Sequence, residues 1–170
     1  MILGMSTSTF TLVHVVLSLV GIVAGLIVVF GMFASKKLEG WTALFLATTV
    51  LTSVTGFFFP FDHILPSHIV GIISLVVLAI AILALYALRL AGAWRWIYVV
   101  SAVVALYLNV FVGVVQAFQK LPLLASLAPT QSEPPFLIAQ SVVLVIFIGF
   151  GVVTVRSFHP PAEAPVSSAV

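Results

Sequence analysis

Seven side chains in this chain combine hydrogen-bonding or ligand chemistry with an apolar setting: His14, Asp62, His63, His68, Asn109, Gln116 and Gln140. Imidazoles and carboxamides both donate and accept hydrogen bonds. Imidazole and carboxylate groups can ligate a metal ion, and two facing imidazoles can hold a haem iron. An amide or imidazole placed in hydrocarbon costs free energy unless it is hydrogen-bonded. Each therefore needs a partner, on a neighbouring helix or on a bound molecule.

Three of the seven lie in one stretch, Phe57-Phe58-Phe59-Pro60-Phe61-Asp62-His63-Ile64-Leu65-Pro66-Ser67-His68. It sits between two long apolar runs and reads as a tight turn at a membrane surface. The setting follows from composition. Of 170 residues, 63% are hydrophobic and 6% are charged, and the mean hydropathy is +1.37. Soluble domains carry about 25% charged residues, so this chain must be solvated by lipid. Nucleic-acid binding is not expected, because the six basic residues stand in short loops and form no patch. The chain has no cysteine, which excludes disulfides and thiolate metal sites. The first apolar run is too long for a signal-peptide core and is expected to be retained.

A membrane-spanning helix needs about 20 apolar residues. Five runs qualify, at about 10–34, 41–59, 67–90, 94–118 and 135–155. The expected fold is an all-α integral membrane protein with five transmembrane helices in one bundle over residues 1–158. A disordered cytoplasmic tail is expected over 159–170. Lys36, Lys37, Arg89, Arg95 and Arg156 then fall on one side and only Lys120 on the other. Basic loops are normally cytoplasmic, which predicts the N-terminus outside and the C-terminus inside, in the plasma or inner membrane if the source is bacterial. Trp41, Trp94 and Trp96 fall at the same inner interface, where indole rings are favoured. The loop Gln119–Pro134, apolar but broken by prolines, is expected to lie in the interface over the outer mouth of the bundle.

Several small residues recur at helical spacing. Ser101, Ala105, Asn109, Gly113 and Ala117 form a stripe every fourth residue, and Gly21 and Gly25 make a GxxxG pair with Ser18 beside it. Small residues let helices approach closely, so Gly113→Leu is expected to overpack the bundle more than Gly149→Leu does. Thr48, Thr52, Thr55 and Gly56 share one side of the second run, and such hydroxyls commonly bond their own helix backbone.

Counting depths places His14, His68, Asn109, Gln116 and Gln140 in the outer half of the membrane, with hydroxyls and Tyr86 alone in the inner half. Two explanations fit: a polar pocket opening outward, or a purely interhelical hydrogen-bond network. In the pocket, Asn109 is the floor, His14 and Gln140 are walls, and His68 with Asp62 and His63 is the rim. Such a site suits a carbonyl, hydroxyl or quinone-like head group. It requires His14 and Gln140 to point into the bundle within reach of Asn109, directly or through one water. If they meet separate neighbours instead, an accessory subunit of a larger membrane complex, respiratory complexes included, is the better description. A b-type haem between His14 and His68, and a metal held by His14, Asp62, His63 and His68, are further alternatives. Within the runs the only charged side chains are Arg89 and Arg95, both at run ends, whereas ion pumps usually keep charges in the membrane interior. There is no Ser/His/Asp set, HExxH or phosphate loop. A non-enzymatic protein binding a small lipophilic or amphipathic molecule, as a homo-oligomer or within a complex, is expected. In length and span number the chain resembles the translocator protein family of tryptophan-rich sensors, and the likeness carries over no residue or activity.

Overall fold

The computed structural model describes residues 2, 4–59 and 66–161. Its long elements are helices: α1 (Thr7–Phe33), α2 (Glu39–Gly56), α3 (Pro66–Ile82), α4 (Trp94–Lys120), the short α5 (Pro122–Leu127) and α6 (Pro134–Ser157). The boundaries follow local chemistry. α1 begins three residues earlier than hydropathy alone suggests, because the Ser6 hydroxyl accepts the Thr9 N–H at 3.1 Å and satisfies a donor that the helix start leaves open. Prolines open α3, α5 and α6, where a missing N–H costs nothing. α3 ends in a π-turn, Leu83–Ala87, followed by Arg89 and Leu90 at positive φ. The regular part of the third run is thus shorter than the 67–90 expected.

Among the described residues, four helical segments are long and apolar enough to cross a membrane: Thr7–Phe33, Ser67–Ala87, Trp94–Lys120 and Pro134–Ser157. α2 has 18 residues and carries Glu39 and six hydroxyl side chains, so it is the least lipid-like of the long helices. The chain is a membrane protein with an all-helical body.

α1, α2, α3 and α4 form a closed ring in which each packs against the next, and α4 packs back against α1. α6 stands outside this ring, against α4 and α1. α1, α2 and α4 each turn an i, i+3, i+4, i+7 stripe inward: Gly21, Ala24, Gly25 and Val28 on α1, Thr42, Phe45, Leu46 and Thr49 on α2, Tyr98, Ser101, Ala102 and Ala105 on α4, with Asn109 one turn further on. At the end that carries Arg95, the interior is filled by Val28, Met32, Phe45, Leu78, Tyr98 and Leu106. α6 buries only Phe147 and Thr154, which fits a helix with one contacting edge.

The Arg95 end is tied by polar contacts. Arg95 Nη1 donates to Val155 O at 3.1 Å and to Phe158 O at 2.7 Å, capping α6. The His159 backbone N–H donates to Ser35 Oγ at 2.8 Å. The start of the expected disordered tail is therefore docked, while 162–170 lie outside the described residues.

The α4–α6 connection differs from expectation in one respect. Leu121, Leu123 and Leu127 of this segment are exposed, Leu123 at 74%, as an interfacial segment would have them. Gln131 Nε2 ties it to Val115 O of α4 at 3.2 Å. It runs from α4 to α6 and contributes no side chain beyond Lys120 to the space between α1 and α3.

Candidate functional site

In the half of the ring toward Lys120, the inward positions are small or polar. α1 supplies Ser18, α2 supplies Thr49, Thr52, Ser53 and Gly56, α3 supplies Ser67, Gly71 and Ser74, and α4 supplies Asn109 and Gly113. Side chains of this size cannot fill a space that Phe45, Tyr98 and Leu106 fill at the other end. The result is a cavity of about 520 Å³. Protein interiors are packed to nearly crystalline density and rarely leave voids larger than a water. Pockets for small molecules run from about 300 to 1,000 Å³, and this cavity falls in that range. Val15, Leu19, Ile22, Val70, Leu108 and Val112 supply its apolar wall.

Four of the five residues expected at a pocket line this one: His14, His68, Asn109 and Gln116. Asn109 is 7% exposed. Its Oδ1 accepts the Ser18 hydroxyl at 2.9 Å, and its Nδ2 reaches Ser18 O at 3.4 Å. That pair bolts α4 to α1. His14 Nδ1 is 2.8 Å from Thr55 Oγ1 on α2. The His14 ring also meets Phe59 edge-on, with centroids 5.2 Å apart. His68 is buried and its ring lies 5.7 Å from that of Phe57. The Phe57 ring in turn packs over Gly71, where an added Cβ would come within 3.1 Å of it.

Gln140 is not in this cavity. Its Nε2 donates to Phe111 O at 3.2 Å, and its buried Oε1 has no partner among the described residues. His14, Asn109 and Gln116 reach the cavity because their helices belong to the ring. Gln140 does not, because α6 stands outside the ring. His14 and Gln140 thus meet separate neighbours, Thr55 and the Phe111 carbonyl, and neither bonds Asn109 among the described residues, so the convergence expected of a pocket is unmet and the cavity is a separate ground for one. Asp62 and His63, the expected rim, lie outside the described residues. Among the described residues no group of three His, Cys, Asp or Glu side chains could hold a metal ion. His14 and His68, the candidate haem ligands, stand on α1 and α3 and line the same cavity.

Residues missed at the sequence level are mostly hydroxyls. Thr49, Thr52 and Ser53 donate to the carbonyls of Phe45, Thr48 and Thr49 in their own helix, and Ser53 also reaches Ser74 Oγ at 3.1 Å. Their spacing on α2 was visible, but only the ring shows that this side faces a cavity. Lys120, one turn beyond Gln116 on α4, also lines it and is the only charged side chain among the described lining residues.

The GxxxG pair of α1 is crowded by α2 and α4. An added Cβ at Gly25 would lie 2.6 Å from Leu106 Cδ1 and 2.9 Å from the Phe45 ring. At Gly21 it would lie 3.1 Å from both Asn109 Nδ2 and Thr49 Oγ1. At Gly113 the nearest atom would be Ile22 Cδ1 at 3.8 Å, an ordinary contact. The crowding expected at Gly113 is therefore at Gly21 and Gly25, because Gly113 borders the cavity.

No protein-family model, curated protein or solved structure matches this chain.

Proposed function

We propose that the protein binds a small lipophilic or amphipathic molecule in the cavity of the α1–α4 ring, without catalysing a reaction. The observation that carries this is the division of one ring into a filled half and an open half. The open half is lined by Ser18, His14, Asn109, Gln116 and His68 amid apolar side chains. A mostly apolar concavity with a few convergent polar groups is the usual form of a small-molecule site. The absence of carboxylates among the described lining residues favours a neutral head group over a cation.

In this proposal α2 spans the membrane with the other four long helices, and the cavity opens on the outer face of the cytoplasmic membrane. The basic residues at the Arg95 end support that orientation. A reporter fused after Arg156 should then be cytoplasmic, and a tag inserted between Gln119 and Pro134 should be accessible from outside. Finding both on one side would remove a span and sink the topology.

The cavity is tested by filling it. A leucine at Gly113 has room for its Cβ and projects bulk toward the open space. In purified protein, Gly113→Leu should weaken binding of an environment-sensitive lipophilic fluorophore by about tenfold or more, equivalent to ~1.4 kcal/mol. Native molecules that co-purify with the parent protein should be depleted from the variant's lipid extract. Gly149→Leu, where an added Cβ meets nothing within 4 Å, should change neither. Equal probe binding by all three proteins would refute the site.

A second description, an accessory subunit, is favoured by α6. Leu137, Ile138, Val142, Val145 and Ile148 on it are all more than half exposed, a surface that lipid or a partner helix would cover. A stoichiometric partner in mild-detergent purification would support it.

A further inference from the structure

The hydrogen-bond directions around the cavity are fixed by the protein, and they constrain what can enter. Thr55 has one hydroxyl proton, and it is directed to backbone, to Leu51 O at 2.7 Å with Thr52 O at 3.2 Å. The 2.8 Å contact between His14 Nδ1 and Thr55 Oγ1 therefore has the imidazole as donor. In the neutral ring this makes Nδ1 the protonated nitrogen and leaves Nε2 a bare acceptor. Nε2 has no partner among the described residues, and His14 lines the cavity. The neighbouring hydroxyls agree in sign. Thr11 donates to Thr7 O, Ser18 to Asn109 Oδ1, Thr49 to Phe45 O and Thr52 to Thr48 O. Each has spent its proton, so all offer lone pairs only. The α1 and α2 walls thus present acceptors. Donors stand on the opposite side, at the Gln116 carboxamide and the Lys120 ammonium of α4 and the Ser67 and Ser74 hydroxyls of α3.

We infer that the cavity selects a lipophilic molecule with a free hydroxyl, a phenol or a fused-ring alcohol, over its acceptor-only ether or ketone counterpart. Thr55, which does not line the cavity, sets this preference as a positioning residue by holding His14 in the Nδ1–H tautomer. A hydroxyl donates to the α1–α2 wall and accepts from α4. An ether or ketone puts lone pairs against lone pairs on the first wall and leaves His14 Nε2 unpaired, which is the costly case for a buried polar atom. The inference rests on the cavity being a binding site and narrows the class of its ligand.

The test uses the full chain in nanodiscs, at a pH where the imidazole is neutral, with two probes: a long-chain 4-alkylphenol and its methyl ether. The parent protein should bind the phenol about tenfold or more tightly than the ether. Thr55→Val removes the acceptor at Nδ1, so the ring proton moves to Nε2 and the preference should fall to near unity. Thr55→Ser should restore it. Nitrogen-15 NMR of His14 reads the tautomer directly, with Nδ1 protonated in the parent and in Thr55→Ser, and Nε2 protonated in Thr55→Val. A purely structural role for Thr55 would lower both affinities together and leave the ratio alone. Equal binding of phenol and ether by the parent would overturn the hydroxyl preference and leave the pocket standing. Binding of neither would overturn both. An Nε2–H tautomer in the parent, or an unchanged ratio in Thr55→Val, would overturn the role of Thr55. If Thr55→Val does not fold, the parent's tautomer and probe ratio still decide the matter.

Discussion

Gly25→Leu should destabilise the helix ring by about 3 kcal/mol, the upper part of the range for overpacked cores. The reason is local and geometric. A Cβ at this position would stand 2.6 Å from Leu106 Cδ1 and 2.9 Å from two atoms of the Phe45 ring. Both neighbours are 0% exposed, so neither can swing away into lipid. Relief must come from moving α1 off α2 and α4, and that separates the Ser18–Asn109 pair one turn pair nearer the Lys120 end. Gly25→Ala meets the same atoms with one carbon and should cost about 1 kcal/mol, less than the leucine. Unfolding followed by helical signal in an SDS titration would measure both, with Gly149→Leu expected within about 0.5 kcal/mol of the parent because it lies on an open surface. Equal costs at Gly25 and Gly149 would mean that α1 does not pack on Phe45 and Leu106 as described.

Arg95→Ala should have the second largest effect, a loss of about 2–3 kcal/mol, in line with charge-assisted hydrogen bonds to backbone. Two carbonyls at the end of α6, Val155 O and Phe158 O, depend on Arg95 Nη1. The positive charge also sits at a helix C-terminus, where it complements the negative end of the helix dipole. The same contact holds Phe158, 2% exposed, against Tyr98 with ring centroids 6.1 Å apart. Losing it should loosen α6 selectively, because α6 has little other buried surface. Hydrogen exchange should therefore accelerate in Val152–Phe158 before it does so in α1 or α2. Uniform acceleration across the bundle would show that Arg95 supports the ring and not α6. The lipophilic-probe binding proposed for the cavity should survive in Arg95→Ala, since the two features lie at opposite ends of the bundle.

The fate of individual residues shows where inference from the chain was sufficient. Asn109 could be placed in the interior because Ser101, Ala105 and Gly113 flank it at four-residue intervals, and one helical face follows from that period alone. Arg95, by contrast, counted only as a positive charge at a loop. Nothing near it in the chain announces Val155 and Phe158, which are 60 and 63 residues away. Gly25 belonged to a motif whose type is common in lipid-facing helices. Its weight became visible only when Leu106 and Phe45 closed on it.

Composition and hydropathy by themselves determined the class of molecule. A chain this poor in charge has one solvent open to it, and helices that satisfy their own backbone are one of the two structures which that solvent permits. The approximate span positions, the inward face of α4 and the concentration of amides and imidazoles toward one end all follow from spacing along single helices. Which helices share a ring could not follow from spacing, because side-to-side adjacency leaves no periodic trace in a chain of lipid-like residues. The tertiary structure placed α6 outside the ring, and so removed Gln140 from a site its depth had suggested. It also turned the small side chains of α2 and α3 from packing surface into cavity wall. Volume decided this: the bulky residues Phe45, Tyr98 and Leu106 occupy the axis at one end, and Ser18, Ser53, Ser74 and Gly113 cannot fill it at the other.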